Sequence, residues 1–203
     1  MNSFLINGGK FSVEHIVAMV PKWIECVEYQ KGEWSITVSS ETVIDSFFHF
    51  LRDTEFAECE MLIDIAGVDY PSRLKRFEIV YQLLSIHYGQ RIRVKVKVDE
   101  LSPVPSVTNI YPSAGYFERE VWDMYGVFFS HHPDLRRILT DYGFEGYPLR
   151  KDFPLSGYFE VRYDLSKTRV IVEPLEMSQE FRYLETRNPW SVSSTWAPKN
   201  KKI

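Results

Sequence analysis

Most of the residues that could do chemistry sit in one stretch, 118–157. His131, His132 and Asp134 lie close enough in sequence to suggest a metal site or an acid–base enzyme, because imidazoles and carboxylates are common zinc ligands and proton carriers. Neighbouring histidines usually point apart, and neither HExxH nor a cysteine–histidine spacing accompanies them, so a turn histidine beside Pro133 is the competing reading. Glu118, Glu120 and Asp123 also invite acid–base chemistry, but Glu118 and Glu120 fall on different faces of a helix. Salt bridges to Arg119, Arg136 or Arg150 are the expectation, and Arg119 and Asp123 are four apart and spaced to pair. Arg136-Arg137 and Arg150-Lys151 could grip phosphates or the carboxylates of a protein partner. Gly143, Gly146 and Gly157 form neither GxGxxG nor a Walker sequence, and no G-x-S-x-G elbow occurs. The residues therefore predict a scaffold with no NADH site, cofactor or nucleophile of its own.

The elements that must position these groups follow from periodicity. Ser12 can cap a short helix whose Val13, Ile16, Val17 and Val20 share a face, with Pro21 ending it. Alternation over residues 23–29 and 34–38 around Lys31-Gly32 reads as a hairpin. Ser40 starts a helix with an apolar stripe of Ile44, Phe47, Phe48 and Leu51. The run 61–68, broken only by Asp64, reads as a central strand covered on both faces. Strands follow over 77–86 and 91–98. The second turns Ile92, Val94, Val96 and Val98 inward and Arg91, Arg93, Lys95 and Lys97 outward, to water or to an acidic partner. Ser113 can cap a helix over 114–125 that Gly126 ends, with Phe117, Val121 and Met124 on one face.

The predicted fold is α+β, with helices packed on a mixed or antiparallel sheet, followed by an extended, turn-rich C-terminal arm. The predicted organisation is a globular domain over 1–129 and an interface arm over 130–203. Pro133, Pro148, Pro154 and the three glycines keep the arm from forming one helix or one central strand. Its Leu135, Ile138, Leu139, Tyr142, Phe144, Tyr147, Leu149, Phe153 and Leu155 are too apolar to leave in water. A small hairpin is expected over 160–164 and 169–173, and the polar tail 188–203 should fray or lie on a partner.

Composition narrows the classes further. A chain of 203 residues with 44% hydrophobic content builds a core without staples. A net charge of −4 argues against general nucleic-acid binding. Cys26 and Cys59 are far apart, suit a reducing compartment, and cannot supply the four ligands of an ordinary iron–sulfur cluster. No apolar run approaches the roughly 20 residues of a membrane helix. Residues 1–10 match neither a secretory signal nor a transit peptide. A mitochondrial origin would then mean a gene in the organelle or an already trimmed chain, with the start at Met1 favouring the first, and a bacterial origin fits equally.

Three runs carry a family resemblance: Glu118-Arg119-Glu120-Val121-Trp122-Asp123-Met124-Tyr125-Gly126, His132-Pro133-Asp134-Leu135-Arg136-Arg137-Ile138-Leu139 and Leu149-Arg150-Lys151-Asp152-Phe153-Pro154-Leu155. Together they resemble the subunit 9 type of respiratory complex I, the NADH:ubiquinone oxidoreductase. The resemblance implies a core subunit of the hydrophilic arm that holds no flavin, cluster or quinone and sits beside the quinone-site and terminal-cluster subunits. It implies a place on the matrix side of the mitochondrial inner membrane, or on the bacterial cytoplasmic membrane. It makes Trp122, Arg136, Arg137, Arg150, Lys151, Asp152 and Phe153 the expected partner-interface residues, with no catalytic role among them.

Overall fold

The computed structural model describes residues 13–39, 43–177, 179–182 and 184. The expected caps Ser12 and Ser40, the first ten residues and the tail 188–203 lie outside them. The chain divides into two compact units, Met1–Gly157 and Tyr158–Ile203.

The first unit is a two-layer α+β domain. It opens with helix α1 (Val13–Met19), followed by the hairpin β1 (Ile24–Gln30) and β2 (Glu33–Val38). Helix α2 (Ile44–Asp53) leads into β3 (Met61–Asp69), β4 (Phe77–Ser85) and β5 (Gln90–Val98). These form one five-stranded sheet in the order β1-β2-β5-β4-β3. All neighbours are antiparallel except β2 and β5, which run parallel. The parallel pair is possible because α2 and two strands intervene and return the chain in the same direction.

One face of the sheet carries the core. Ile36, Val38, Ile79, Tyr81, Leu83, Ile92, Val94, Val96 and Val98 are buried there, as period-two alternation demands. The stripe Ile44, Phe47, Phe48 and Leu51 of α2 is fully buried, and Phe48 packs on Tyr81 with ring centroids 4.8 Å apart. The opposite face is charged and largely satisfied by the sheet itself. Lys97 and Lys95 cross β2 to reach Glu25 at 2.7 Å and Glu28 at 3.7 Å on β1, and Arg93 meets Glu33 at 2.8 Å. Ser35 and Thr37 of β2, between the bridged strands, are thereby buried. The acidic partner of the β5 face is thus the chain's own hairpin.

β3 is not the central strand that its apolar run suggests. It lies at the edge of the sheet, with Met61 and Ala66 exposed. Alanine and glycine count as apolar by type, but they add little surface to bury, so a continuous run overstates coverage. Gly67 has another purpose: a Cβ there would lie 2.6 Å from the Tyr125 ring. The short pair β6 (Val104–Pro105) and β7 (Phe129–Ser130) is parallel and brackets helix α3 (Ala114–Tyr125). Helix α3 begins and ends where the sequence predicts, but Ser113 does not cap it. Its backbone is helical and its side chain makes no cap hydrogen bond.

The second unit contains the expected hairpin, β8 (Phe159–Asp164) and β9 (Arg169–Pro174), paired antiparallel.

Candidate functional site

Helix α3 is the platform on which the chemistry-bearing stretch is built. Ala114, Glu118 and Val121 are buried along one stripe, so a carboxylate occupies a position that helical periodicity gives to the core. Asp123, off that stripe, is also fully buried. Gly126 ends the helix in the left-handed conformation, φ 79°, and its N–H donates to the Trp122 carbonyl. A side chain there would meet the Tyr147 ring at 2.6 Å and an Arg150 nitrogen at 2.9 Å, so glycine serves both the turn and the close packing.

Asp123 is the anchor of the 130–157 segment. Its Oδ2 accepts the N–H groups of Ile138 at 3.1 Å, Leu139 at 2.7 Å and Thr140 at 3.1 Å. Its Oδ1 accepts the Thr140 hydroxyl at 2.7 Å, and Arg137 lies 3.5 Å away. Burial opposes ionisation, but the bonds from Leu139, Thr140 and Ile138 outweigh it and hold the carboxyl below its ordinary range. Neither expected partnership of Asp123 forms, with Arg119 or through a bridge to Arg136 or Arg150. Arg119 instead donates to the Arg136 carbonyl. A run of backbone N–H groups offers more donors than one surface guanidinium, and a buried carboxylate needs them.

Two arginines fasten the segment from above. Arg150 donates to the Tyr125 carbonyl at 2.7 Å and lies 5.0 Å from the Phe77 ring centroid and 4.6 Å from that of Tyr147. Arg137 lies 4.9 Å from Tyr147 on its own account and donates to the Gly146 carbonyl. Trp122 meets Tyr147 and Phe128 edge-on, while Phe153 packs on Phe144 and closes over Gly146. A second carboxylate does for the end of β3 what Asp123 does for α3. Asp69, buried, takes both Arg76 bonds at 2.7 and 2.9 Å and the Lys151 N–H at 2.8 Å. The Arg76 hydrogen bonds, opposed by burial and helped by the Lys151 N–H, hold its carboxyl down. Arg76 also reaches Glu100 at 2.7 Å and Asp152 at 3.1 Å.

The expected interface residues thus divide. Trp122, Arg137, Arg150, Asp152 and Phe153 are engaged within the domain, while Arg136 and Lys151 are exposed, with Arg136 paired to the exposed Asp134 at 2.9 Å. Asp69, Arg76, Glu118 and Tyr147 carry much of the geometry and were not singled out in that role by the sequence. The boundary expected after residue 129 falls instead after Gly157, because these bonds bind the segment to α3 and β3.

The histidines do not converge. His131 is an exposed turn residue with φ 63°. The His132 side chain is buried, its Nδ1 accepting the Asp134 N–H at 3.1 Å and its Nε2 lying 3.2 Å from the Gly115 carbonyl. Both ring nitrogens are occupied, and among the described residues no group of three or more His, Cys, Asp or Glu could hold a metal. Glu118 lies 3.8 Å from His132 Nε2. Ser106 Oγ donates to it at 2.6 Å and the Val107 N–H at 2.8 Å. Burial pushes its carboxyl up to about 7, against the pull of those two donors.

The family described as respiratory-chain NADH dehydrogenase, 30 Kd subunit, matches residues 36–159. The chain belongs to this family. Its relatives agree along nearly their whole length. NADH-ubiquinone oxidoreductase subunit 9 of Prototheca wickerhamii is 56% identical over 175 residues, 86% of this chain and 91% of that protein. A bacterial NADH-quinone oxidoreductase protein, from Rhodospirillum rubrum, is 54% identical, covering 86% and 82%. NADH dehydrogenase [ubiquinone] iron-sulfur protein 3 of Solanum tuberosum is 61% identical, covering 85% and 90%. The fold is similar to a chain of the membrane-bound sulfane sulfur reductase, an archaeal respiratory membrane complex. That similarity has a TM-score of 0.60 at 28% identity and covers 70% of this chain and 84% of that one. The iron–sulfur name borne by the potato relative finds no cysteine ligand set in this member of the 30 Kd family. Cys26 is exposed on β1, and Cys59 is buried after α2 with its thiol pushed up to about 12 by burial.

Proposed function

We infer that this chain is a core subunit of the hydrophilic arm of respiratory complex I, serving NADH-to-ubiquinone electron transfer as a scaffold. The observation that carries the reading is the two-sidedness of the 130–157 segment. Its inner side is fixed by Asp123, Asp69 and Arg150, while Leu139, Tyr142, Leu149 and Leu155 are 51% to 103% exposed on its outer side. A rigid loop presenting bare apolar side chains is suited to a permanent interface, which requires preorganised apolar surface. Arg136 and Lys151 flank that surface as outward cations, and Trp122, Arg137, Arg150, Asp152 and Phe153 set its shape. The partners proposed are the quinone-site and terminal-cluster subunits, at the matrix side of the mitochondrial inner membrane. No helix among the described residues is long and apolar enough to cross a membrane.

The test is Tyr142→Ser with Leu155→Ser. Exposed positions of this kind shift stability by about 0.5 kcal/mol or less, so thermal melting of the chain should hold. Incorporation into the complex, read by co-purification with the quinone-site subunit and by NADH:ubiquinone activity, should fall several-fold. Unchanged incorporation would refute the interface.

A further inference from the structure

We propose that Glu118, Ser106, Thr108 and His132 form a buried proton-binding site that fastens the 104–108 segment and the 131–134 turn to α3, and that it holds most tightly when Glu118 carries the proton. Glu118 is fully buried, and the side chain of His132 is 3% exposed. No lysine or arginine among the described residues pairs with Glu118.

The groups facing it come from three elements. From the 104–108 segment come the Ser106 hydroxyl and the Val107 N–H, with Thr108 Oγ1 2.8 Å behind Ser106 Oγ. From the turn after β7 comes His132. From β4 comes Tyr81, whose phenol is held protonated by burial and by the Glu118 charge. On α3 itself, Arg119 is turned to the surface, where it donates to the Arg136 carbonyl.

This set accepts a proton without moving a heavy atom. With Glu118 ionised, Ser106 donates to Glu118 and Thr108 donates to Ser106. With Glu118 protonated, the chain reverses: Glu118 donates to Ser106, and Ser106 donates to Thr108. The Val107 N–H keeps its acceptor in both states. His132 is held by hydrogen bonds at both ring nitrogens, its Nε2 lying 3.2 Å from the Gly115 carbonyl. Its Nδ1 accepts the Asp134 N–H at 3.1 Å, which ties the ring to the turn. Ionised Glu118 is an anion held out of water by one hydroxyl and one N–H, a poor exchange for full hydration.

The sign follows. A carboxyl whose folded affinity for the proton exceeds its unfolded one stabilises the fold below the unfolded value and loses that contribution as pH rises through the folded one. Here the window runs from 4.5 to about 7.

The test uses the full chain labelled with carboxyl-13C glutamate and titrated by NMR between pH 4 and 9, with E118Q to assign the signal. The amide of E118Q donates to Ser106 and accepts from Val107, so it mimics the protonated acid. The expected midpoint is close to 7 in the wild type and persists in H132N, whose Asn oxygen replaces Nδ1 as the acceptor. A midpoint near 4.5, or loss of the step in H132N, would overturn the proposal. A second reading, free of signal assignment, compares urea unfolding of the wild type and E118Q. Their ratio of unfolding constants should change by up to tenfold per pH unit within that window, and parallel pH profiles would also overturn it.

Discussion

The 130–157 segment and the β8–β9 ribbon invert the usual relation between regularity and order. The first has almost no repeating structure beyond Ser130, the last residue of β7, yet its backbone is gripped by two buried carboxylates and two stacked arginines. The second has unbroken register, yet Phe159, Val161, Tyr163, Val170 and Val172, which share one face, are each more than half exposed. Its other face is polar apart from Ile171, which lies opposite Arg162, and carries the Arg162–Glu173 pair at 2.6 Å. An isolated two-stranded ribbon is marginal in water. Hydrogen-bond register therefore says little about whether a segment is held, and the partners of its side chains say most.

The strongest way to break the contrast is to end the chain after residue 129. The bare domain loses the cover of Phe77, Trp122 and Tyr125, and we expect aggregation or loss of cooperative melting. A monodisperse fragment that melts sharply by near-ultraviolet circular dichroism would show that the segment is an appendage. Asp123→Ala comes next. It strips the acceptor from three N–H groups and one hydroxyl, and bonds to a charged group contribute about 1.5–3 kcal/mol each, non-additively. We expect a loss of roughly 3–4 kcal/mol in urea unfolding, and a loss below about 1 kcal/mol would remove Asp123 as the anchor.

Arg150→Glu should cost about 2–3 kcal/mol, through the lost Tyr125 bond and the lost stacking on Phe77 and Tyr147. Melting and incorporation into the complex should therefore fall together. Loss of incorporation alone would place Arg150 at the partner. Acid sharpens the comparison in a different way. Asp69 and Asp123 have depressed folded values, so their contribution is present above the unfolded value near 3.8 and lost as pH falls through the folded ones. Hydrogen exchange at Leu139, Thr140 and Lys151 should rise in that acid window, and protection that survives it would disconnect the carboxylates from the loop. The smallest effect on stability belongs to ending the chain after Gly157. Melting of the first unit should change by less than about 0.5 kcal/mol, and a larger fall would show that the ribbon supports it.

Much of the fold was legible because its elements are strongly periodic. The stripe of α2, the alternation of β5, the limits of α3 and the ribbon all follow from residue spacing. What sequence could not give was the destination of buried polar groups. Glu118 and Asp123 read as ordinary members of a charged helix, since their true partners are hydroxyls and backbone N–H groups, which leave no mark in residue type. One signal was available for Glu118, its place in line with Ala114 and Val121 on the buried stripe. Asp69 gave less, because its bond to the Lys151 N–H joins positions that sequence spacing does not connect. The edge position of β3 was hidden by the small residues Ala66 and Gly67.

The parallel pair β2–β5 has a consequence for the order in which the chain can fold. The β1–β2 hairpin closes through a two-residue turn and needs nothing from later residues to form. Its only neighbour in the sheet is β5, which is complete at Val98, 60 residues after Val38. At about 5–20 residues per second, a chain emerging from the ribosome waits roughly 3–12 s between the two. During that interval Ile36 and Val38 have no sheet neighbour on the β5 side, and a hairpin with an unpaired, partly apolar strand is a template for strangers. The acidic residues Glu25, Glu28 and Glu33 are already in place on that hairpin, before the lysines and arginine that will pair with them have been made. For those seconds they are unneutralised charges that discourage edge-to-edge pairing between nascent chains, and the same residues later become the bridges that close the sheet.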